Sequence, residues 1–204
     1  MSRPAELAQF LASAERALRR AATEKPDVAA ATDRIFSAIA AREAPILPAP
    51  ATSLPTVDLL GSLVDKASNA PTAITQLAST LLALSPSLAW SQRSGASRVG
   101  EPFLSGHANT MIAGRDGYEQ RGDVIVGASM LAPGITYPEH KHAPEEMYIV
   151  ISGGDWYNEL EGWYTPRIGD VIYHRPWLRH AMRSSEQPLL TVWCLYVEPE
   201  VSVR

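Results

Sequence analysis

The sequence predicts an α+β chain in which a helical N-terminal layer precedes a small β-barrel. Residues 1 to about 90 are rich in Ala and Leu at helical spacing. Four apolar residues of the first segment fall near one helix face: Leu7, Phe10, Leu11 and Leu18. From about Thr110 the chain changes to short β-rich runs separated by Gly and Pro, such as DVIVGASM and EEMYIVISGG. Many short strands with turn signals and no helical period indicate a sandwich or barrel.

Three more helices are predicted after the first. A helix over 26–42 begins with Pro26, a residue that is favoured in the first turn because it needs no amide partner there. Residues 44–55 carry four prolines and are predicted to form a loop. Two shorter helices are then predicted over 57–67 and 71–84.

The chain length suits one barrel domain with an extension, because 204 residues can bury a substantial core. The expected division is a helical N-terminal extension over 1–95 and a barrel over 96–204. We expect the extension to pack on the barrel, to cover its mouth or to form an oligomer contact. A homodimer is one arrangement that the last alternative allows.

Composition limits the classes of partner. The net charge of -4 gives no basic surface for nucleic acid. A single cysteine, Cys194, excludes an internal disulfide framework and is compatible with a reducing compartment. No segment approaches the roughly 18 apolar residues of a membrane helix, and the first residues lack the apolar block of a secretion signal. The expected protein is cytoplasmic and binds neither membrane nor nucleic acid.

The most informative segment reads GITYPEHKHAPEEMYIVISGG. In a strand, His140 and His142 point to the same face because side chains alternate. Glu146 can return to that face after the turn at Ala143 and Pro144. Two imidazoles and a carboxylate that converge inside a barrel form a site suited to a divalent transition metal.

The spacing of this segment and its flanking glycines resembles the first conserved motif of the cupin superfamily. Gly169 and Asp170 open a second motif, and His180 stands where that family places its last metal-binding histidine. The resemblance implies a double-stranded β-helix, or jelly-roll, barrel that binds one divalent metal through four residues: His140, His142, Glu146 and His180. The second motif departs from the family pattern at three positions: Arg175, Trp177 and Ser184.

The runs YPEHKHAPEEMY and GDVIYHRPWLRHAM are similar to those of the cupin-type dimethylsulfoniopropionate (DMSP) lyases of marine bacteria. This resemblance implies a carbon–sulfur lyase that converts DMSP to dimethyl sulfide and acrylate by β-elimination, with Fe(II), Zn(II) or Mn(II) as its metal. Cupin motifs also occur in other classes of protein, so two alternatives remain. One is a non-haem iron dioxygenase, and the other is a small-molecule-binding cupin without catalytic activity.

The proposed elimination needs a base and a site for a sulfonium cation. Tyr148 lies two residues after Glu146 and is therefore expected on the same inward face, near the metal. The family resemblance implies that Tyr148 is the base and that Tyr137 is a second active-site tyrosine. Aromatic faces attract cations, so Trp177 and Tyr173 are the expected substrate-binding residues.

Neighbouring polar residues have simpler interpretations. Glu145 has the opposite strand parity to Glu146 and is expected to face away from the site. His174 is expected to have a structural role, and His107 to lie at the surface or cap a helix. Cys194, in an apolar strand, is expected to be buried packing rather than a nucleophile.

Overall fold

The computed structural model describes residues 3–47 and 50–198. Its helices are α1 (Ala5–Ala21), α2 (Pro26–Ala41), α3 (Leu60–Lys66), α4 (Thr72–Leu84) and two single turns, α5 (Ala96–Val99) and α6 (Phe103–Gly106). The first, second and fourth predicted helices are confirmed. The third predicted helix begins as a 3-10 turn over Pro55–Leu59 and becomes α3 only at Leu60. Positions 48 and 49 of the predicted loop lie outside the described residues.

Eleven strands follow or flank these helices within the described residues. They are β1 (Trp90–Ser91), β2 (His107–Gly114), β3 (Glu119–Gln120), β4 (Val124–Leu131), β5 (Thr136–His140), β6 (Glu146–Val150), β7 (Asp155–Asn158), β8 (Gly162–Tyr164), β9 (Val171–His174), β10 (His180–Arg183) and β11 (Leu189–Tyr196). The larger sheet has the order β1-β2-β4-β11-β6-β9, with β3 paired to β2, and the smaller has the order β5-β10-β7-β8. The predicted α+β architecture is therefore confirmed.

The two faces of the larger sheet have different neighbours. On β6, Glu146 and Tyr148 face the smaller sheet, whereas Met147 and Ile149 belong to a core that is shared with the helices. The same alternation on β11 turns Trp193 toward the smaller sheet and buries Cys194 on the helical side, as its parity predicted. The helical layer thus covers one face of the larger sheet and leaves the other face to form the barrel interior.

The charged residues at the two ends of α1 suit the direction of its helix dipole. In α1, Glu6 occupies the first turn and Arg19 and Arg20 the last, which is the favourable arrangement for the helix dipole. Helix α1 packs between α4 and α2, and α2 contacts β11 of the larger sheet. Within the described ranges, no helix combines the length and apolarity needed to cross a membrane.

A buried polar network joins the helical layer to the barrel. The fully buried Arg121 guanidinium donates to Glu119 and Asp123, at 2.8 and 2.9 Å. It also donates to the backbone carbonyls of Ala38 and Arg42 at the end of α2. Carbonyls at the C-terminal end of a helix have no following turn to pair with, so Arg121 provides a donor there and stabilises the C-terminus of α2.

Candidate metal centre

Four side chains converge at one end of the barrel. His140 ends β5 and is the cross-strand partner of His180, which begins β10. His142 follows in the loop after β5, and Glu146 is the first residue of β6 in the opposite sheet. One ligand atom from each residue lies within 4.8 Å of the others, so the cluster could hold a metal ion. The cluster therefore bridges the two sheets.

Each of the three imidazoles is held by a backbone carbonyl close in sequence. The Nδ1 atoms of His140, His142 and His180 lie 3.0, 2.9 and 2.8 Å from the carbonyl oxygens of Pro138, Pro144 and Leu178, respectively. A hydrogen bond to a carbonyl places the proton on Nδ1 and leaves the Nε2 lone pair free. All three rings are thus arranged to offer Nε2 to a metal.

Glu146 provides the negative charge of the cluster. Its Oε2 lies 3.0 Å from Nε2 of His142 and 3.1 Å from Nε2 of His180. Burial alone would raise the pKa of Glu146, but its contacts with the side chains of these two histidines lower it to about 2. Burial, and then the neighbouring His180, lower the pKa of His140 to about 4. An ionised carboxylate beside a neutral imidazole is the donor chemistry that a divalent transition metal requires.

Both predicted tyrosines lie in the same cavity as the cluster. The phenol oxygen of Tyr148 is 3.3 Å from Nε2 of His180, and that of Tyr137 accepts a hydrogen bond from Asn109 at 3.2 Å. Burial, and then the Glu146 carboxylate, raise the pKa of Tyr148 well above its ordinary value. Burial also raises the pKa of Tyr137, and the positive charge of Arg93 partly offsets that increase.

The cavity is small and has one polar end. Its volume is about 240 Å³, which suits a small substrate. The polar end contains His140, His142 and Glu146, and the remaining lining residues are Asn109, Met111, Ile125, Ser129, Tyr137, Tyr148, Met182, Trp193 and Leu195.

The predicted substrate-binding aromatics, Tyr173 and Trp177, do not line this cavity. Tyr173 faces the outside of the larger sheet, where its hydroxyl donates to Glu145 at 2.8 Å. The cause is register, because Tyr173 pairs with Met147 rather than with a residue of the inward face. The Trp177 side chain is 60% exposed and lines an outer groove beside Arg34. Its backbone φ of 63° turns the chain there, and only its amide approaches the cluster, donating to the His142 carbonyl at 2.8 Å.

Glu145 lies outside the cavity, as its parity predicted. His107 is buried rather than at the surface, and it caps α6 as the other expectation had it: its Nδ1 lies 2.6 Å from the Phe103 carbonyl oxygen, and the ring centroids of His107 and Phe103 are 3.9 Å apart. Its Nε2 accepts the backbone N–H of Arg93, which positions the loop that carries Arg93. Among the described residues, neither ring nitrogen of the buried His174 has a hydrogen-bond partner. The His174 ring instead lies 4.3 Å from that of His180.

The sequence-based choice of aromatics missed Trp193, which lines the cavity from β11. The guanidinium of Arg93, 5.1 Å above the Tyr137 ring, was also missed. The signal for Trp193 was its parity, which is opposite to that of the buried Cys194. This parity shows that Trp193 points into the barrel only once the strand register, which pairs Trp193 with Tyr148, is known.

A two-sheet barrel with three histidines and one glutamate converging at one end defines a cupin. Comparison with protein families is more specific, because residues 27–191 match the DMSP lyase family. That match covers more than half of the sequence. The chain therefore belongs to the DMSP lyase family.

Individual relatives agree with this assignment. The chain is similar to the DMSP lyase DddQ of Ruegeria pomeroyi, with 26% identity over 98 residues. That alignment covers 47% of this chain and about half, 48%, of the relative. Among solved structures, one from a study of the DMSP lyases RdDddP and RnDddQII superposes with a TM-score of 0.72 at 24% identity, covering 95% of this chain and 93% of that one.

The crystal structure of DddQ from Ruegeria pomeroyi DSS-3 has a TM-score of 0.63 at 20% identity, covering 92% of this chain and 94% of that one. At these identities, the structural similarity establishes the cupin fold with its helical layer.

Proposed function

We propose that this protein is a metal-dependent DMSP lyase, which cleaves the carbon–sulfur bond of DMSP to yield dimethyl sulfide and acrylate. One observation carries the proposal. Three residues of the four-donor cluster line one cavity of about 240 Å³ together with Tyr148 and Tyr137, in a chain of the DMSP lyase family. The family gives the reaction class, and the cavity contains the groups that such a reaction needs.

We propose His140, His142, Glu146 and His180 as the ligands of one divalent metal. Three nitrogen donors and one oxygen donor suit Fe(II), Zn(II) or Mn(II). A divalent ion bound there would act as a Lewis acid toward the substrate carboxylate, which favours loss of a proton from the adjacent carbon. The cytoplasm, where these metals are available and Cys194 stays reduced, is the proposed compartment.

We propose Tyr148 as the general base. Its phenolate would remove the proton from the carbon next to the carboxylate, and the electron pair of that C–H bond would become the second bond of the new C=C. The C–S bond breaks as its electrons pass to sulfur, so neutral dimethyl sulfide leaves and acrylate remains. The position of the phenol oxygen, 3.3 Å from Nε2 of His180, supports this role because a cation at the cluster would stabilise the phenolate.

Tyr137 is the second proposed catalytic residue, with a different environment. Its hydroxyl accepts a hydrogen bond from Asn109, and the Arg93 guanidinium lies over its ring. Both contacts favour the ionised over the neutral phenol, which supports either sharing of the base role with Tyr148 or binding of the substrate.

Detection of dimethyl sulfide in the headspace above purified, metal-loaded protein and DMSP under nitrogen tests the proposal. A lyase should release dimethyl sulfide and acrylate in equal amounts without oxygen, and removal of the metal with a chelator should stop the reaction. Turnover that required oxygen would instead indicate a dioxygenase. Binding of DMSP without turnover would indicate a cupin that only binds small molecules.

A further inference from the structure

The turn between β9 and β10 contains the one left-handed backbone position among the non-glycine residues that the structure describes. Trp177 has a φ of 63°, which is rare and costly for a bulky side chain. Pro176 precedes it, and the amide of Leu178 donates to the carbonyl of Arg175 at 3.2 Å. Proline at the second position and a positive φ at the third match a type II turn, in which the third position normally holds glycine.

The preceding turn of the chain, between β8 and β9, has the usual residue at this position. There the amide of Asp170 donates to the carbonyl of Arg167 at 3.0 Å, and Gly169 occupies the third position with a φ of 91°. Glycine adopts a positive φ without a steric penalty, whereas tryptophan does not. The turn after β9 therefore keeps its left-handed backbone against the preference of its own residue. Such a conformation persists only where the surrounding structure determines it, and it often accompanies a functional site.

The left-handed residue contacts the loop that carries His142. The amide of Trp177 donates to the His142 carbonyl at 2.8 Å. Among the four proposed ligands, His142 is the one that lies outside the strands. Its side chain is 30% exposed, against 2% for that of His180, so packing holds it less firmly. The hydrogen bond from Trp177 therefore fixes the backbone of the ligand that the sheets themselves do not fix.

The next residue of the same turn holds a second ligand. Leu178 is buried, and its carbonyl oxygen lies 2.8 Å from Nδ1 of His180. The φ of Trp177 sets the angle between its own N–H and the peptide groups that follow. The left-handed value directs the N–H to one ligand and the Leu178 carbonyl to the other, and a negative φ would direct them differently. One turn thus holds two of the four proposed ligands, one in the loop after β5 and one at the start of β10.

The indole of Trp177 takes no part in these contacts, because it is 60% exposed in the outer groove. We propose that Trp177 is a positioning residue of the metal site, which acts through the left-handed backbone of its turn and not through its ring. This inference rests on the proposed function, in which His142 and His180 bind the metal. The turn holds both residues before the ion binds, so less freedom of the loop is lost on binding and the affinity for the metal is higher.

Substitutions at position 177 separate the role of the backbone from that of the ring. Trp177→Gly and Trp177→Asn remove the indole but accept a positive φ, so both should bind Zn(II) as tightly as the wild-type protein. Trp177→Val keeps the amide but resists the left-handed region, because its Cβ is branched. It should bind Zn(II) about 10- to 100-fold more weakly, the usual cost of losing a contact that orients a metal ligand. Titration of the purified protein with Zn(II) in competition with a chelating dye measures these affinities without requiring turnover.

A second measurement and a matched control accompany the affinities. The visible spectrum of bound Co(II) depends on its ligands and their geometry, so it should change in Trp177→Val and stay as in the wild-type protein in the other two variants. Urea unfolding shows whether each variant is folded. Ile168→Gly and Ile168→Val are the controls, because Ile168 precedes Gly169 in the other turn, is 44% exposed and has no positive φ. Neither control should change the affinity for Zn(II).

Two results would overturn the inference. An affinity for Zn(II) that fell in Trp177→Gly and Trp177→Asn as far as in Trp177→Val would assign the effect to the indole. An unchanged affinity in folded Trp177→Val would show that the left-handed turn is dispensable. If Trp177→Val does not fold, Trp177→Ala takes its place with a smaller expected loss, because alanine resists the left-handed region less than valine does.

The same measurements separate this inference from the proposed reaction. A wild-type protein that binds Zn(II) but releases no dimethyl sulfide from DMSP with any of the proposed metals would overturn the lyase function and leave the role of Trp177 to be decided by the affinities alone. Normal release of dimethyl sulfide with an unchanged affinity in Trp177→Val would overturn the inference and leave the lyase function intact. A wild-type protein that binds no divalent metal would overturn both.

Discussion

The phenol oxygen of Tyr148 lies 3.3 Å from Nε2 of His180, the same nitrogen that is 3.1 Å from a carboxylate oxygen of Glu146. The proposed base and two proposed metal ligands therefore meet at one point. Without a cation, burial and the Glu146 charge favour the neutral phenol. A divalent ion at this point would oppose both effects, so metal binding and activation of the base are expected to be coupled.

The first prediction concerns the metal ligands. Replacement of His142, Glu146 or His180 by Ala removes one donor from the cluster and should abolish both bound metal and lyase activity. Elemental analysis of the purified variants measures the metal directly. The matched control is Glu145→Ala, because this neighbouring carboxylate contacts Arg34 and Tyr173 outside the cavity and its loss should leave the metal in place. Full metal occupancy in the double variant Glu146→Ala, His180→Ala would contradict the proposed site.

The second prediction concerns the base. Tyr148→Phe keeps the ring and removes the hydroxyl, so turnover should fall by about 10²-fold or more, the scale of general base catalysis. Metal content should change little if the phenol is not an obligatory ligand. Tyr137→Phe provides the comparison, since it removes the hydroxyl that accepts from Asn109. Near-normal turnover of metal-loaded Tyr148→Phe would contradict the assignment of Tyr148 as the base and would make Tyr137 the leading candidate.

The third prediction concerns the pH dependence of turnover. Burial and the Glu146 carboxylate raise the pKa of Tyr148, so at low pH the phenol keeps its proton and cannot act as a base. The rate should therefore increase as the pH rises. This increase should disappear in Tyr148→Phe, when kcat is measured across the range in which the metal stays bound. If the rate of the variant rose with pH as much as that of the wild-type protein, another ionisable group would control the pH dependence.

The fourth prediction concerns the helical layer. Ile35 of α2 is completely buried in the core shared with the larger sheet, so Ile35→Ala should lower the free energy of unfolding by about 2–5 kcal/mol. Leu82→Ala, at a partly exposed position of α4, should have a much smaller effect. Urea unfolding of the two variants measures the difference.

Deletion of the chain before Arg98 should expose the same apolar sheet face and reduce solubility. A soluble, fully active barrel that begins near Arg98 would contradict this role.

The fifth prediction concerns stability at low pH. Burial alone would raise the pKa of Asp123, but hydrogen bonds from Arg121 and Arg42 lower it from 3.8 to about 2. Because the folded-state pKa lies below the unfolded one, the contribution to stability is complete above about pH 4 and is lost as the pH falls toward 2. Asp123→Asn should thus cost about 2 kcal/mol at neutral pH and less at pH 3. Urea unfolding at both values tests this, and a cost independent of pH would contradict it.

Much of the fold and of the cluster followed from local pattern. Helical spacing identified α1, α2 and α4, because an amphipathic helix repeats its apolar positions within a few residues. Strand alternation predicted that His140, Glu146 and Tyr148 share a cavity, because side chains that are separated by an even number of residues return to the same face.

Tertiary structure alone decided which aromatics enter the cavity. Tyr173 and Trp193 are both strand residues with aromatic rings, and the register with β6 sends one outward and the other inward. The left-handed turn at Trp177 directs that ring to the outer groove. Likewise, Arg121 meets the end of α2 across more than 70 residues of sequence. These outcomes depend on pairings between distant segments, whereas periodicity reports only which residues share a face of one segment.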